Sequence, residues 1–276
     1  MDKWTKCKGY MVQRMDKNRL NIAILYIALG KYSVLWKEFY ESCEKFFLLD
    51  ENKHYYIWTD DESIKSSEKI TVIKQQDMGW PKNTLMRFYM FNQKKEELEK
   101  YNYIFFFKAN LKFLKEVGND LLPQNEQLLV TLHPTYYKEA NPDKYPYYRN
   151  PSSTAYIPYG KGQYYVQGAL FGGKGQAFLE MTQLLEKATQ VDLDNDIIAD
   201  VHDESQLNKY IVDRNDLKVV GPEYIYPEGY DLDVEPVILS RDKSKYFDVE
   251  TLKYGKSKKV KHIIKKIIHI FKNREN

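Results

Sequence analysis

The chain has 276 residues, 29% of them charged, with a mean hydropathy of −0.64. That is the composition of a soluble globular protein, long enough for one large α/β domain or two small ones, and no run approaches the roughly 18 apolar residues that span a bilayer. The net charge of +3 is uneven: residues 253–276 hold nine Lys/Arg against one Glu, a net of +8 that leaves −5 for the first 252 residues, an acidic body with a strongly basic tail.

Cys7 and Cys43 have neither metal-ligand spacing nor a disulfide framework, which fits a reducing, cytoplasmic compartment. Residues 1–20 form a polar leader without the apolar core of a signal peptide or anchor. "NIAILYIAL" (21–29) then reads as a buried strand broken by Gly30. "SVLWKEFYESCEKFF" has helical spacing, with Leu35, Phe39, Cys43 and Phe46 on one stripe. "HYYIWTD" and "ITVIKQ" are strand-like. "NTLMRFYMFNQKKEELEK" predicts a helix with Asn83 or Thr84 as N-cap. "YIFFF" (103–107) and "QLLVTLHP" are further strands. Strands alternating with helices indicate a mostly parallel α/β sheet, with ligands beyond the carboxyl ends of its strands. The Tyr- and Pro-rich stretch from His133 to Gly162 is a long loop, and so long a loop in a compact domain is usually functional. "QYYVQGALFGGKGQAFLEMTQLLEKA" reads as strand, glycine turn and helix, and "DNDIIADVHDESQLNKYIVD" as helix, break, helix.

Several stretches carry candidate chemistry. His202, Asp203 and Glu204 are consecutive, so a regular helix cannot aim all three into one pocket. At a helix start the two carboxylates would cap backbone N–H groups, and the local sequence favours that reading. Gly172, Gly173 and Gly175 match neither a P-loop nor a dinucleotide fingerprint, and a tight turn is expected. His133 has no second His at ligand spacing, which argues against zinc. Lys108, Ala109 and Asn110 follow the buried strand, where many sugar-nucleotide enzymes place two carboxylates one residue apart to hold a metal.

Taken in order, "ILYIALGKY", "HYYIWTD", "GWPKNTLMRF", "YIFFFKAN", "TLHP", "STAYIP", "YYVQGALFGG", "HDESQLNKY", "PEYIYPEGY" and "PVILSRDKSK" resemble glycosyltransferase family six, which contains the ABO blood-group and α-1,3-galactosyltransferases and shorter bacterial relatives. The resemblance spans about residues 21–245. It implies a single glycosyltransferase A-type nucleotide-sugar-binding α/β domain, with a mostly parallel central sheet, over residues 21–252. The implied activity is transfer of Gal or GalNAc from a UDP donor to the 3-hydroxyl of a β-galactoside, with retention, in bacterial surface-glycan synthesis. A lapsed sugar-nucleotide- or glycan-binding protein of the same fold is the alternative.

By position, the resemblance places Ile27, Ala28 and Tyr32 against uridine and Arg87 towards the donor sugar and phosphates. Glu204 falls beneath the anomeric carbon as nucleophile or electrostatic stabiliser, and Asp203 on donor-sugar hydroxyls. Gln167, Gly168 and Ala169 fall where relatives sense the sugar's 2-substituent, and Ala169 narrows that space in favour of galactose. His133, Thr135 and Val201 fall on the acceptor side. Val201 stands where the family has Trp, and "YPYYRN" replaces the family's "F-T-Y-E-R-R", so the resemblance does not carry a fucosylated acceptor over to this chain. Animal members have Asp-x-Asp at residues 108–110 and need manganese, whereas many bacterial ones resemble Asn-x-Asn and work without metal. Lys108 departs from both. With Lys108, Ala109 and Asn110 at the diphosphate, no divalent metal and no other cofactor is expected, and Lys108 either supplies a tethered charge or folds out to solvent.

In the tail, Val260, Ile263, Ile264, Ile267, Ile268 and Phe271 recur at helical spacing opposite lysines. Residues 256–274 suit the anionic inner face of a membrane. A helix docked on the body or on a protein partner fits the same pattern. The acidic body and the lack of any recognisable module argue against nucleic acid.

Overall fold

A computed structural model describes residues 19–252; the leader up to residue 18 and the basic tail from residue 253 lie outside the described residues. Ten strands form in chain order: β1 (Asn21–Ala28), β2 (Asn52–Thr59), β3 (Ile70–Lys74), β4 (Tyr103–Phe107), β5 (Leu111–Phe113), β6 (Leu128–Leu132), β7 (Val166–Lys174), β8 (Leu217–Val220), β9 (Tyr226–Pro227) and β10 (Ile238–Ser240). The helices are α1 (Trp36–Phe46), α2 (Lys82–Leu85), α3 (Arg87–Asn92), α4 (Lys95–Leu98), α5 (Gly175–Asp194) and α6 (Asp203–Ile211). Seven strands make one sheet in the order β3-β2-β1-β4-β7-β6-β8, and β5, β10 and β9 make a second, small sheet.

The main sheet is mostly parallel, as expected. Only β7 opposes its neighbours, pairing antiparallel with both β4 and β6. Its central strands are apolar on both faces because helices cover both. Alternate residues of β1 and β4 therefore enter different cores. Ile22, Ile24, Tyr26, Phe105 and Phe107 pack with Trp36, Phe39 and Cys43 of α1, whereas Ala23, Leu25, Ile104 and Phe106 pack with Phe88 and Phe91 of α3 and Phe178 of α5. No helix among the described residues is long and apolar enough to cross a membrane.

Three local expectations differ from the structure. The glycines of "LFGGKG" do not turn: Gly172 and Gly173 continue β7, and α5 starts directly at Gly175. A Cβ on Gly172 would lie 2.2 Å from Phe105 Cδ1 and 2.7 Å from the Ile104 carbonyl oxygen, so the glycine admits close approach to β4. The single helix expected from residue 83 is three short ones, because Met86 (φ −86°, ψ 12°) and Lys94 (φ −113°, ψ 15°) depart from helical geometry. Asn83 caps nothing there; its Oδ1 accepts from the Met78 N–H at 2.9 Å and its Nδ2 donates to Asp77 Oδ1 at 2.7 Å. No helix forms over residues 195–202. Asp196 takes φ +57°, and the Asp196 and Ile197 N–H groups donate to the Leu193 and Asp192 carbonyls, a Schellman-type stop that ends α5.

Candidate active site

β4 runs out at Phe107, and the turn of residues 108–110 is held by its main chain. The Lys108 N–H donates to the Ala169 carbonyl of β7 at 2.8 Å. The buried phenol of Tyr26 donates to the Ala109 carbonyl at 2.8 Å. From 131 residues beyond Asn110, buried Arg241 reaches beneath the turn, its Nε donating to the Asn110 carbonyl and its Nη2 to the Ala109 carbonyl, each at 3.2 Å. The Asn110 side chain is turned into the body. Its Nδ2 donates to the Arg241 carbonyl at 2.8 Å and to Ser240 Oγ at 3.1 Å, and only 4% of the residue is exposed.

A divalent ion at such a turn needs hard oxygen ligands. Lys108 brings an ammonium and Asn110 is engaged below, so these two residues do not fit one. Among the described residues, no group of three or more His, Cys, Asp or Glu is placed to hold a metal.

The second half of the site joins α3, β7 and α6 through Gly168. Arg87 Nη1 donates to the Gly168 carbonyl at 2.9 Å and pairs with Asp203 Oδ2. The guanidinium also lies 4.2 Å over the centre of the Phe106 ring. The Gly168 N–H donates to Glu204 Oε2, and the Tyr165 O–H donates to Glu204 Oε1, both at 2.8 Å. Burial pushes the carboxyl groups of Asp203 and Glu204 up. Arg87 and Lys108 oppose this at Asp203, and the two hydrogen bonds and Lys108 oppose it at Glu204.

The spacing of "HDES-x-x-NKY" now has a cause. Asn208, one helical turn after Glu204, accepts from the Val166 N–H at 3.0 Å and donates to the Val166 carbonyl at 2.9 Å, fixing α6 against β7. His202 enters α6 at φ +55°, a conformation uncommon for a residue with a Cβ. Both carboxylates therefore reach the site from the first turn of α6, so the capping reading gives way to a shared pocket.

The cavity between these halves has a volume of about 360 Å³, within the range of small-ligand sites. Its wall brings together Ile27, Tyr32, Arg87, Lys108, Ala109, Gly168, Val201, Asp203 and Glu204 of the expected residues. Lys108 thus faces the cavity rather than folding away. The remaining expected residues do not line it. Ala28 is wholly buried, with its carbonyl accepting from Thr59 Oγ1, and Ala169 packs in the core beneath the turn. Gln167 is half-buried beside it. The galactose argument from Ala169 therefore loses its steric wall. His133 packs against the Tyr165 ring at 5.6 Å between ring centres, and Thr135, two residues on, is exposed. His133 Nδ1 accepts from the Thr135 N–H at 3.1 Å, which leaves its proton on Nε2. Burial, with Lys108 nearby, pushes its pKa down to about 4, so the ring is a neutral donor near pH 7.

The cavity also contains residues to which the sequence had assigned no role. Lys243 comes from the chain after β10, and Trp80, 42% exposed, packs edge-on to His202 at 5.2 Å between ring centres. Both lie in stretches quoted above, "PVILSRDKSK" and "GWPKNTLMRF", but nothing local to either shows that it turns inward.

The profile of Glycosyltransferase family 6 matches residues 8–245. The chain belongs to this family. The O-antigen biosynthesis glycosyltransferase WbnI of Escherichia coli is 35% identical over 226 residues, covering 81% of this chain and 95% of that one. Histo-blood group ABO system transferase 1 of Rattus norvegicus is 31% identical, covering 75% of this chain and 61% of the rat protein. Globoside alpha-1,3-N-acetylgalactosaminyltransferase 1 of Homo sapiens is 28% identical over 76% of this chain and 62% of its own length. This glycosyltransferase works between a nucleotide-sugar donor and a glycan acceptor, and its cavity lies where a doubly wound sheet places ligands.

Proposed function

We propose that this glycosyltransferase moves galactose or N-acetylgalactosamine from UDP to the 3-hydroxyl of a β-galactoside, retaining the α configuration and using no metal ion, in the assembly of a bacterial surface glycan. The observation that carries this is one cavity holding Lys108 and Lys243 together with Asp203 and Glu204. Breaking the bond to UDP builds positive charge on the anomeric carbon and negative charge on the diphosphate. Glu204 shelters or attacks the former, and the two ammonium groups attract the latter. Asp203, oriented by Arg87, holds donor-sugar hydroxyls. Ile27 and Tyr32 form the apolar side that receives the base.

The test is a screen of UDP-Gal and UDP-GalNAc against a panel of β-galactosides with EDTA present, reading the linkage by NMR. Undiminished turnover to an α-1,3 product is expected. A rate lost on chelation and restored by manganese would overturn metal independence. Glu204→Gln is expected to lower turnover on the order of a hundredfold.

A membrane role for the tail belongs to the same reading. The last described residue, Leu252, lines the cavity, and residues 256–274 lie outside the described residues. Their engagement with anionic lipid would bring the cavity to a lipid-borne acceptor.

A further inference from the structure

Among the buried polar groups near the site, Tyr165 stands out. It is 1% exposed, sits just before β7, and gives its one hydrogen bond among the described residues to Glu204 Oε1 at 2.8 Å. The opposite oxygen is taken by the Gly168 N–H at the same distance. Two donors on two oxygens fix both the plane and the rotamer of a carboxylate, whereas one leaves it free to rotate.

The ring of Tyr165 is itself held on several sides. Tyr136, His133 and Tyr147 lie 5.5, 5.6 and 5.6 Å from it, ring centre to ring centre. Its carbonyl accepts from the His133 N–H at 2.9 Å. The long aromatic loop expected to meet the acceptor thus packs around the phenol that holds the carboxylate.

We propose that Tyr165 is a positioning residue for the transfer reaction, its O–H acting with the Gly168 N–H to present the Glu204 carboxylate, ionised and in one orientation, to the reacting sugar. This rests on Glu204 being the carboxylate that meets that sugar. The tyrosine donates to the anion and takes no proton from it, so its hydrogen bond favours the charged form. The other charged groups facing Glu204 are Lys108 from the turn after β4, Arg87 from α3, and Asp203 on its own helix. Lys108 and Arg87 favour the same charged form and Asp203 opposes it. All three remain when the phenol O–H is removed.

Tyr165→Phe keeps the ring and deletes the donor. Turnover is expected to fall roughly ten- to hundredfold, the usual effect of losing a hydrogen bond to a charged group, with donor KM changed by less than about threefold. The acid limb of the kcat profile should move to higher pH, because the group that lowered the Glu204 pKa is gone. A packing role alone would lower the melting temperature and leave the limb in place, and that result overturns the proposal.

Tyr165→Phe made in the Glu204→Gln background supplies a second reading, since positioning predicts little further loss there. A full additional loss counts against it. An inactive Glu204→Gln beside a Tyr165→Phe of unchanged rate and profile sinks the positioning role and leaves the site standing. A Glu204→Gln of near-normal rate removes both.

Discussion

A Cβ on Gly168 would stand 3.3 Å from Asp203 Oδ2, 3.5 Å from Arg87 Nη1 and 3.6 Å from Glu204 Cβ. The residue serves the site through its main chain, giving its N–H to Glu204 and its carbonyl to Arg87. An added methyl has room only if the Arg87–Asp203 pair yields by a few tenths of an ångström, and that pair is packed between β7 and α3. Gly168→Ala should therefore cost turnover at least about tenfold, as misplaced reacting groups do, while the melting temperature falls by only a few degrees. Activity within twofold of the wild type would show that the pair is not held as tightly as its contacts indicate. The resemblance made Arg87, Asp203 and Glu204 legible because each is a side chain with a motif around it. The donors that orient them were not legible. A backbone N–H has no signature in sequence, and the phenol of Tyr165 is one of 24 Tyr in the chain.

At the scale of elements, β1, β4 and β6 could be read from continuous apolar runs because strands covered on both faces need them. The glycines of β7 were misread because a turn and a close strand approach call for the same residue. Only the partner strand distinguishes them, and Phe105 lies 67 positions away. Its edge fills the space that a side chain on Gly172 would take, and the Ile104 carbonyl closes the other side. Gly172→Ala must therefore push β7 off β4. The expected cost is about 1–3 kcal/mol, several degrees in melting temperature, with donor KM unchanged in the protein that remains folded. A variant as stable as the wild type would mean that the two strands have slack that their register does not suggest. The break at Met86 was equally hidden, since Leu85, Met86 and Arg87 are all good helix formers. Asn83, one of the two expected caps, is instead consumed by the loop before it, through Met78 and Asp77.

Across the whole molecule, the last described stretch closes the site. β10 pairs with β5 directly after the 108–110 turn, and the chain then passes Arg241 under that turn and Lys243 into the cavity. Phe247 packs edge-on to Tyr32 at 5.0 Å between ring centres, and Leu252 reaches the cavity wall. The basic tail seen in composition lies outside the described residues, the last of which, Leu252, lines the cavity. Residues 253–276 carry a net charge of +8. On an anionic bilayer each Lys or Arg near the surface contributes about 1 kcal/mol, within a Debye length, so attachment through the tail should weaken steeply with salt. Removing residues 256–276 should abolish sedimentation with phosphatidylglycerol vesicles and slow transfer to a lipid-linked galactoside. Transfer to a soluble galactoside should persist, because every described residue that lines the cavity is kept in the shortened protein. If the shortened protein sediments like the full chain, the membrane role is wrong. If transfer to the soluble galactoside also collapses, the tail acts at the diphosphate rather than at lipid, and its lysines join Lys108 and Lys243 in drawing the leaving group away.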